Sequence, residues 1–213
     1  MKYGESAFDL LYLLTAIGIG IFLCAKAKNR AQRLMGIAAL VLGIGDAFHL
    51  VPRVLNYIIE ADFTAALGIG KLVTSITMTV FYVLLYRIGC LYYGEQPPYR
   101  AQRIVIWSSA ERIMLCLFPQ NGWLQNESPL LWGVARNVPF AVLGAAVMLL
   151  FFRNRKNGGP LRLVWLWITL SFAFYLPVAF GAGFLPILGM LMLPKTICYV
   201  AILFAFCAAA KER

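Results

Sequence analysis

The chain of 213 residues is 62% hydrophobic and 13% charged, whereas a soluble domain is about 45–50% apolar and about 25% charged. These proportions exclude an ordinary soluble domain and predict a polytopic, all-α membrane protein with one domain over residues 1–213. The net charge of +10 does not indicate a nucleic-acid partner, because the basic residues lie in short loops between apolar runs.

Seven apolar runs follow one another along the chain. A membrane span needs roughly 17–25 residues; the fourth run is shorter than this, and the third and seventh are long. The runs are Ala7–Ala25, Leu34–Val51, Phe63–Ile88, Ile104–Leu117, Leu130–Phe152, Leu161–Phe180 and Leu185–Ala210. The sequence therefore predicts a bundle of seven transmembrane helices in the cell membrane.

The charges of the loops predict the orientation of this bundle. Lys and Arg are in excess after the first, third and fifth spans and at the C-terminus. The opposite side carries acids: Glu5, Asp9, Glu60, Asp62 and Glu127. Since basic loops stay in the cytoplasm, we expect the N-terminus outside and the C-terminus in the cytoplasm.

Two short segments of the chain are similar to each other. Ala47–Pro52 in the second span is similar to Ala173–Pro177 in the sixth. Each follows a basic loop, and each precedes a lysine, Lys71 or Lys195, at a similar distance. This pattern predicts that spans one to three repeat as spans five to seven, with span four as a linker, an arrangement found in membrane transport folds.

The second span carries an acid, the only histidine of the chain and an arginine. Asp46, His49 and Arg53 are spaced i, i+3, i+7, which places them on one stripe of a helix. Asp46 and His49 form either a catalytic pair, assisted by Glu111, or a structural pair in which Asp46 orients His49. A zinc site needs at least three protein ligands, and only Glu111 is an obvious third ligand beside Asp46 and His49. We therefore predict no bound metal, and we predict no cofactor.

Further polar residues fall in the outer half of the predicted bundle. They are Arg53, Lys71, Ser75, Arg112, Arg136, Asn137, Tyr175, Lys195 and Tyr199. Ionisable groups at membrane depth usually face a bundle interior or a wet cavity. We therefore predict a common polar cavity open to the outside. Either water reaches its surplus of positive charge, or an anionic amphiphile, such as a lipid headgroup, binds there. Lys71 and Arg136 could instead reach the headgroups of the bilayer, and Trp123 and Trp132 fit an interfacial belt.

The segment Gly45-Asp46-Ala47-Phe48-His49-Leu50-Val51-Pro52-Arg53 resembles the Gly-Asp-x-x-Leu segment of the lysoplasmalogenase family. Members of that family are small polytopic membrane proteins that hydrolyse the vinyl-ether bond of lysoplasmalogens. The resemblance implies a lipid-acting hydrolase in which Asp46 is the general acid or base. The family's second aspartate motif is absent, because Phe172 stands in its place.

Two other functions fit the same residues. The predicted repeat favours a small transporter of an anionic or zwitterionic solute, with its site between the two halves. The missing second aspartate favours a membrane protein that binds lipid without turnover.

Overall fold

Seven α-helices form the fold of this computed structural model, which describes residues 2–59, 61–126, 129–181 and 184–212. They are α1 (Lys2–Ala25), α2 (Arg30–Ile58), α3 (Thr64–Tyr93), α4 (Tyr99–Leu117), α5 (Leu130–Arg153), α6 (Val164–Gly181) and α7 (Met192–Lys211). Short 3₁₀ helices occupy Pro119–Asn121, Trp123–Gln125, Gly159–Leu163 and Pro186–Leu191. The prediction of an all-α fold is confirmed. Glu60 and Glu127, used to predict the orientation, lie outside the described residues.

Six helical stretches among the described residues are long and apolar enough to cross a membrane. They are Gly4–Ala25, Arg30–Ile58, Thr64–Tyr93, Leu130–Arg153, Gly159–Gly181 and Ile187–Lys211. These stretches fit a multi-pass membrane protein. Helix α4, which matches the predicted fourth span, is not among them, because its 19 residues include Arg100, Arg103, Glu111 and Arg112.

Helix α4 nevertheless connects the two ends of α3. The loop before it leaves the C-terminal end of α3, where Gly94 ends that helix in the left-handed conformation (φ 66°). The loop after it returns to the other end of α3, where a Cβ at Gly68 would collide with the main-chain carbonyl of Trp123. Nineteen residues of helix extend about 28 Å, close to the roughly 30 Å of a hydrocarbon core.

The other six helices close a ring, and α4 lies outside it. Each packs on its neighbour in the order α1, α2, α3, α5, α6 and α7, and α7 returns to α1 and α2. Helix α4 packs on α3 and α5. Helices α2 and α3 approach closely at Gly70, where a Cβ would collide with the main chain of Phe48 and His49. This close approach places the side chains of α2 and α3 on one interior space.

Aromatic rings from α3, α5, α6 and α7 form a largely buried cluster inside the ring of helices, and we call it the aromatic floor. Its rings are those of Phe81, Tyr82, Phe140, Phe172 and Tyr199, which meet mostly edge to face. The hydroxyl of Tyr82 lies 3.3 Å from the Ser171 hydroxyl and 3.5 Å from that of Tyr199. The buried hydroxyls therefore satisfy one another, and the polar space above the floor is separated from the rest of the core.

Candidate functional site

A polar cavity of about 190 Å³ lies above the aromatic floor, and we call it the basic cavity. Helices α2 to α7 and the loop before α5 all contribute to its wall. Its polar lining residues are His49, Lys71, Thr74, Ser75, Arg112, Arg136, Tyr175 and Lys195. The structure therefore brings seven of the twelve predicted site residues to one cavity; of the eight, only Thr74 was not among them.

The basic cavity continues into a wider space of about 460 Å³, and we call this space the mouth. The two share Lys71, Arg136, Tyr175, Val178 and Ala179. Asn137, a further predicted residue, lines the mouth. The apolar part of the mouth includes Leu130, Phe180 and Phe184, which are 49%, 38% and 77% exposed. The cavity is thus reached between the start of α5 and the end of α6.

Arg112 is the most deeply buried cation of the cavity, with 2% of its surface exposed. Its guanidinium carbon lies 3.2 Å from the ring centroid of Phe140. Its Nε and Nη1 atoms are buried and have no hydrogen-bond partner in the structure. A buried charged donor without a partner is costly, so these two N–H groups call for an acceptor that the described residues do not supply.

Lys195 enters the cavity from α7 and stands near two aromatic rings. Its Nζ atom lies 4.8 Å from the ring centroid of Tyr175 and 5.5 Å from that of Tyr199. Asp46 acts on it electrostatically, although the two groups are not within 4.0 Å of each other. Tyr199 belongs to the aromatic floor under Lys195 and does not line the cavity.

Arg136 is held by the loop between α4 and α5. Its Nη1 donates to the Asn121 side-chain oxygen, and its guanidinium carbon lies 4.5 Å from the centroid of Trp123. Asn121 also donates to the carbonyls of Leu115 and Phe118, each at 2.8 Å. The predicted interfacial position of Trp123 is therefore wrong, because the ring is buried and lines the cavity.

Sequence reasoning missed this role of the loop. Asn121 and Trp123 come from a segment rich in turn residues, which resembles any outer loop. Gly122 adopts the left-handed conformation (φ 65°) between two 3₁₀ helices and turns the chain back onto α4. The Trp123 ring nitrogen then donates to the carbonyl of Cys116 at 2.8 Å. Pro119 and Gly122 were the available signal for a compact loop.

The neutral polar groups of the wall are already satisfied within the chain. Tyr175 donates its hydroxyl to the Asn137 oxygen at 2.7 Å, and Asn137 donates to the carbonyl of Gly133. Ser75 donates to the carbonyl of Lys71, and Thr74 donates to that of Gly45. The hydrogen-bonding capacity left for a ligand therefore belongs mainly to the cations.

Asp46 and His49 do not hydrogen-bond to each other. Asp46 accepts the hydroxyl of Tyr12 on α1 at 2.6 Å, while His49 Nδ1 lies 3.4 Å from the carbonyl of Leu67 on α3. The two side chains thus turn toward different helices, and only His49 lines the cavity. The spacing i, i+3 does place Asp46 and His49 on the same side of α2. Their directions still differ by about 60° around the helix axis, so each contacts a different neighbouring helix.

Arg53 and Glu111 lie apart from the basic cavity. Arg53 Nη2 pairs with Glu5 at 3.2 Å, and its Nε lies 4.0 Å from Asp9. Glu111 is exposed on α4, whereas the adjacent Arg112 turns inward. The predicted grouping of Asp46, His49 and Glu111 is therefore not a single site in this structure.

The basic cavity is strongly positive, because the acids predicted for this site face elsewhere. Four cations line it, and no carboxylate is among its lining residues. Within the described residues, no three His, Cys, Asp or Glu side chains come together as a metal site would require. Clustered positive charge in a partly dry space attracts an anion and repels a cation. The arrangement can hold an oxyanion by charge-assisted hydrogen bonds.

Comparison with known proteins finds no family model, no curated protein and no solved structure that matches this chain. The resemblance to lysoplasmalogenases rests on the Gly45–Arg53 segment alone. Even there the spacing differs, because Leu50 stands four positions after Asp46, whereas the family pattern places leucine three positions after its aspartate.

Proposed function

We propose that this chain is a multi-pass membrane protein that binds an anionic ligand in the basic cavity. The supporting observation is Arg112, which is buried with two unpaired nitrogen atoms beside three other cations. Leaving such a charge without a partner costs several kcal/mol in effective terms. An anion that enters through the mouth supplies the missing charge and the missing acceptors.

Ligand-induced stabilisation tests this proposal. Purified protein in a non-ionic detergent is heated with increasing sodium phosphate, and chloride is used to keep the ionic strength constant. We expect the Tm to rise with phosphate, because a ligand that binds only the folded state stabilises it. Arg112→Gln should abolish the rise. Arg103→Gln, which removes an exposed arginine of the same helix, should keep it. An equal rise in all three proteins would contradict the proposal.

A transport role is the second candidate, and the internal similarity supports it. His49 and Tyr175 are equivalent positions of the two similar segments, and Lys71 and Lys195 are the lysines that follow them. All four line the basic cavity, two from each predicted half. Many transporters that work by alternating access bind their substrate between two related halves. Phosphate exchange across proteoliposomes that Lys195→Gln abolishes would support transport; binding without exchange would restrict the protein to binding.

The lipid-hydrolase hypothesis has a narrower basis. His49 lines the cavity and can carry a proton, but the Asp46 carboxylate is engaged by Tyr12. Turnover of a lysolipid panel that includes vinyl-ether species, lost in Asp46→Asn, would support it. Asp46→Asn with full turnover would remove Asp46 from any catalytic role.

A further inference from the structure

The net positive charge of the basic cavity favours a ligand with more than one negative charge. Lys71, Arg112, Arg136 and Lys195 line the space, and Asp46 acts on Lys195 alone among them. The groups that act on Arg112 and Arg136 are tyrosines and a cysteine, and the group that acts on Lys71 is Arg136. A singly charged ligand would leave a large surplus of positive charge in a volume of about 190 Å³.

The aromatic rings of the wall argue against a ligand with its own cation. A quaternary ammonium group is commonly bound against the faces of aromatic rings. Here Phe140, Trp123 and Tyr175 each already have a cation of the chain over the ring, at 3.2, 4.5 and 4.8 Å from the ring centroid. With those rings covered and no carboxylate in the lining, a zwitterionic headgroup would find a site only for its anionic part.

The space around the cations suits a tetrahedral oxyanion with an organic substituent. A phosphate monoester carries three terminal oxygens and close to two negative charges at neutral pH. The inner space of about 190 Å³ takes the phosphoryl group, and the mouth of about 460 Å³ takes the substituent. Gly133 lines the mouth, and a Cβ there would meet only the Ala179 carbonyl, at 4.0 Å.

We propose that the basic cavity selects a doubly charged phosphate monoester over singly charged anions and zwitterionic phosphodiesters. This proposal rests on the anion-binding function proposed above and specifies its ligand class. The phosphate monoester can belong to a lipid or to a soluble metabolite, and both present the same group to Arg112 and Lys195.

Hexyl phosphate and hexyl sulfate form a matched pair for the test. Both are tetrahedral and carry the same chain, but the sulfate bears one charge. Calorimetric titration at pH 8 should show hexyl phosphate binding at least about tenfold more tightly, because one more negative charge acts among four cations. Equal affinities would overturn the selection for a dianion and leave anion binding intact. Absence of binding by either ligand would overturn both proposals.

The pH dependence of the same pair provides a second readout. A phosphate monoester takes up its second proton near pH 6, whereas the sulfate stays singly charged. The ratio of the two affinities should therefore fall toward one between pH 8 and pH 5. Protonation of groups that face the cavity toward pH 5 would by itself favour the dianion and raise this ratio, so a fall in the ratio reports the charge of the ligand. The groups that face the cavity from each helix are His49, Lys71, Arg112, Arg136, Tyr175 and Lys195. A ratio independent of pH would overturn the proposal.

Two further ligands distinguish the sources of the phosphate. Tighter binding of hexyl phosphate than of glycerol phosphate would support a lipid ligand, and equal binding would support a soluble one. Gly133→Leu narrows the mouth without removing a cation, so it should weaken the binding of hexyl phosphate more than that of inorganic phosphate. If Gly133→Leu weakened neither ligand, the mouth would not hold the substituent, and this part of the proposal would be wrong.

Discussion

Arg112 is a buried charged side chain whose hydrogen-bond donors are only partly satisfied. It is 2% exposed, lies over the Phe140 ring and has two nitrogen atoms without partners. The ring contact offsets part of the cost of burying the charge, but only an acceptor can satisfy the N–H groups. Arg112 lowers the stability of the ligand-free protein, and we therefore attribute its presence to a role in ligand binding.

Removing the Arg112 charge should separate stability from binding. We expect Arg112→Gln to keep or raise the Tm of the ligand-free protein, because the variant no longer buries an unpaired charge. Phosphate should no longer raise the Tm further. Thermal unfolding with and without phosphate measures both effects. A large loss of Tm without ligand would show instead that Arg112 is structural.

Arg53 should behave in the opposite way. It pairs with Glu5 and lies near Asp9, so Arg53→Gln leaves the partly buried Glu5 and the buried Asp9 without their cation. We expect a loss of about 1–3 kcal/mol in the free energy of unfolding and unchanged anion affinity. The double variant Arg53→Gln with Glu5→Gln should recover part of the stability, since the two residues interact. Weaker phosphate binding in Arg53→Gln would place this arginine in the site.

At the level of elements, the loop between α4 and α5 completes the site. It packs its Trp123 main chain against Gly68 at the start of α3 and holds Arg136 through Asn121. The loop joins α4 and α5, and both helices line the cavity. The position of Arg136 on α5 therefore depends on how the loop packs against α3 and α4.

Gly68→Ala tests this contact. Replacing glycine in a helix usually stabilises it by up to about 1 kcal/mol. At Gly68 the added Cβ would collide with the Trp123 carbonyl, so we expect a loss of about 1–3 kcal/mol and weaker anion binding. Gly18→Ala in α1, where nothing lies within 4 Å of the added atom, is the matched control and should not destabilise the protein. Similar effects of the two substitutions would show that the loop contact is unimportant.

The elements themselves were largely predictable from composition. Each of the seven predicted runs overlaps a helix, because apolar segments of this length must form internally hydrogen-bonded helices in a bilayer. Their ends were less predictable. Helix α2 begins at Arg30 and ends at Ile58, beyond the predicted Leu34–Val51 at both sides. Polar residues extend the helix past the apolar run, and hydropathy does not detect them.

At the level of the whole molecule, the position of each polar residue along its span could be predicted. The side of the helix that faces the bundle interior could not. Lys71, Arg136 and Lys195 were grouped by similar depth along their spans, and the cavity unites them. Arg53 and Glu111 have similar depth but face α1 or the outside of the bundle. A helix that is apolar on all sides carries no periodic signal for the interior face, so the sequence leaves that direction open.

The orientation of the bundle in the membrane is a whole-molecule prediction. The basic loops lead us to expect the N-terminus outside and the C-terminus in the cytoplasm, and hence a crossing by α4 as well. A reporter fused to the C-terminus should be active only in the cytoplasm, and one inserted after Gln125 only outside. A further reporter inserted after Gln96, in the loop before α4, should be active only in the cytoplasm. If the reporters after Gln96 and Gln125 were active on the same side, α4 would not cross the membrane.

An anion bound in the basic cavity can be located there by crystallography. Selenate is a doubly charged tetrahedral oxyanion with an anomalous scatterer at its centre. In crystals of the protein soaked in selenate, we predict an anomalous peak within hydrogen-bonding reach of Arg112 and Lys195, and its loss in Arg112→Gln. Selenate bound only at the exposed basic loops, with the cavity free of it at saturating concentration, would contradict the account.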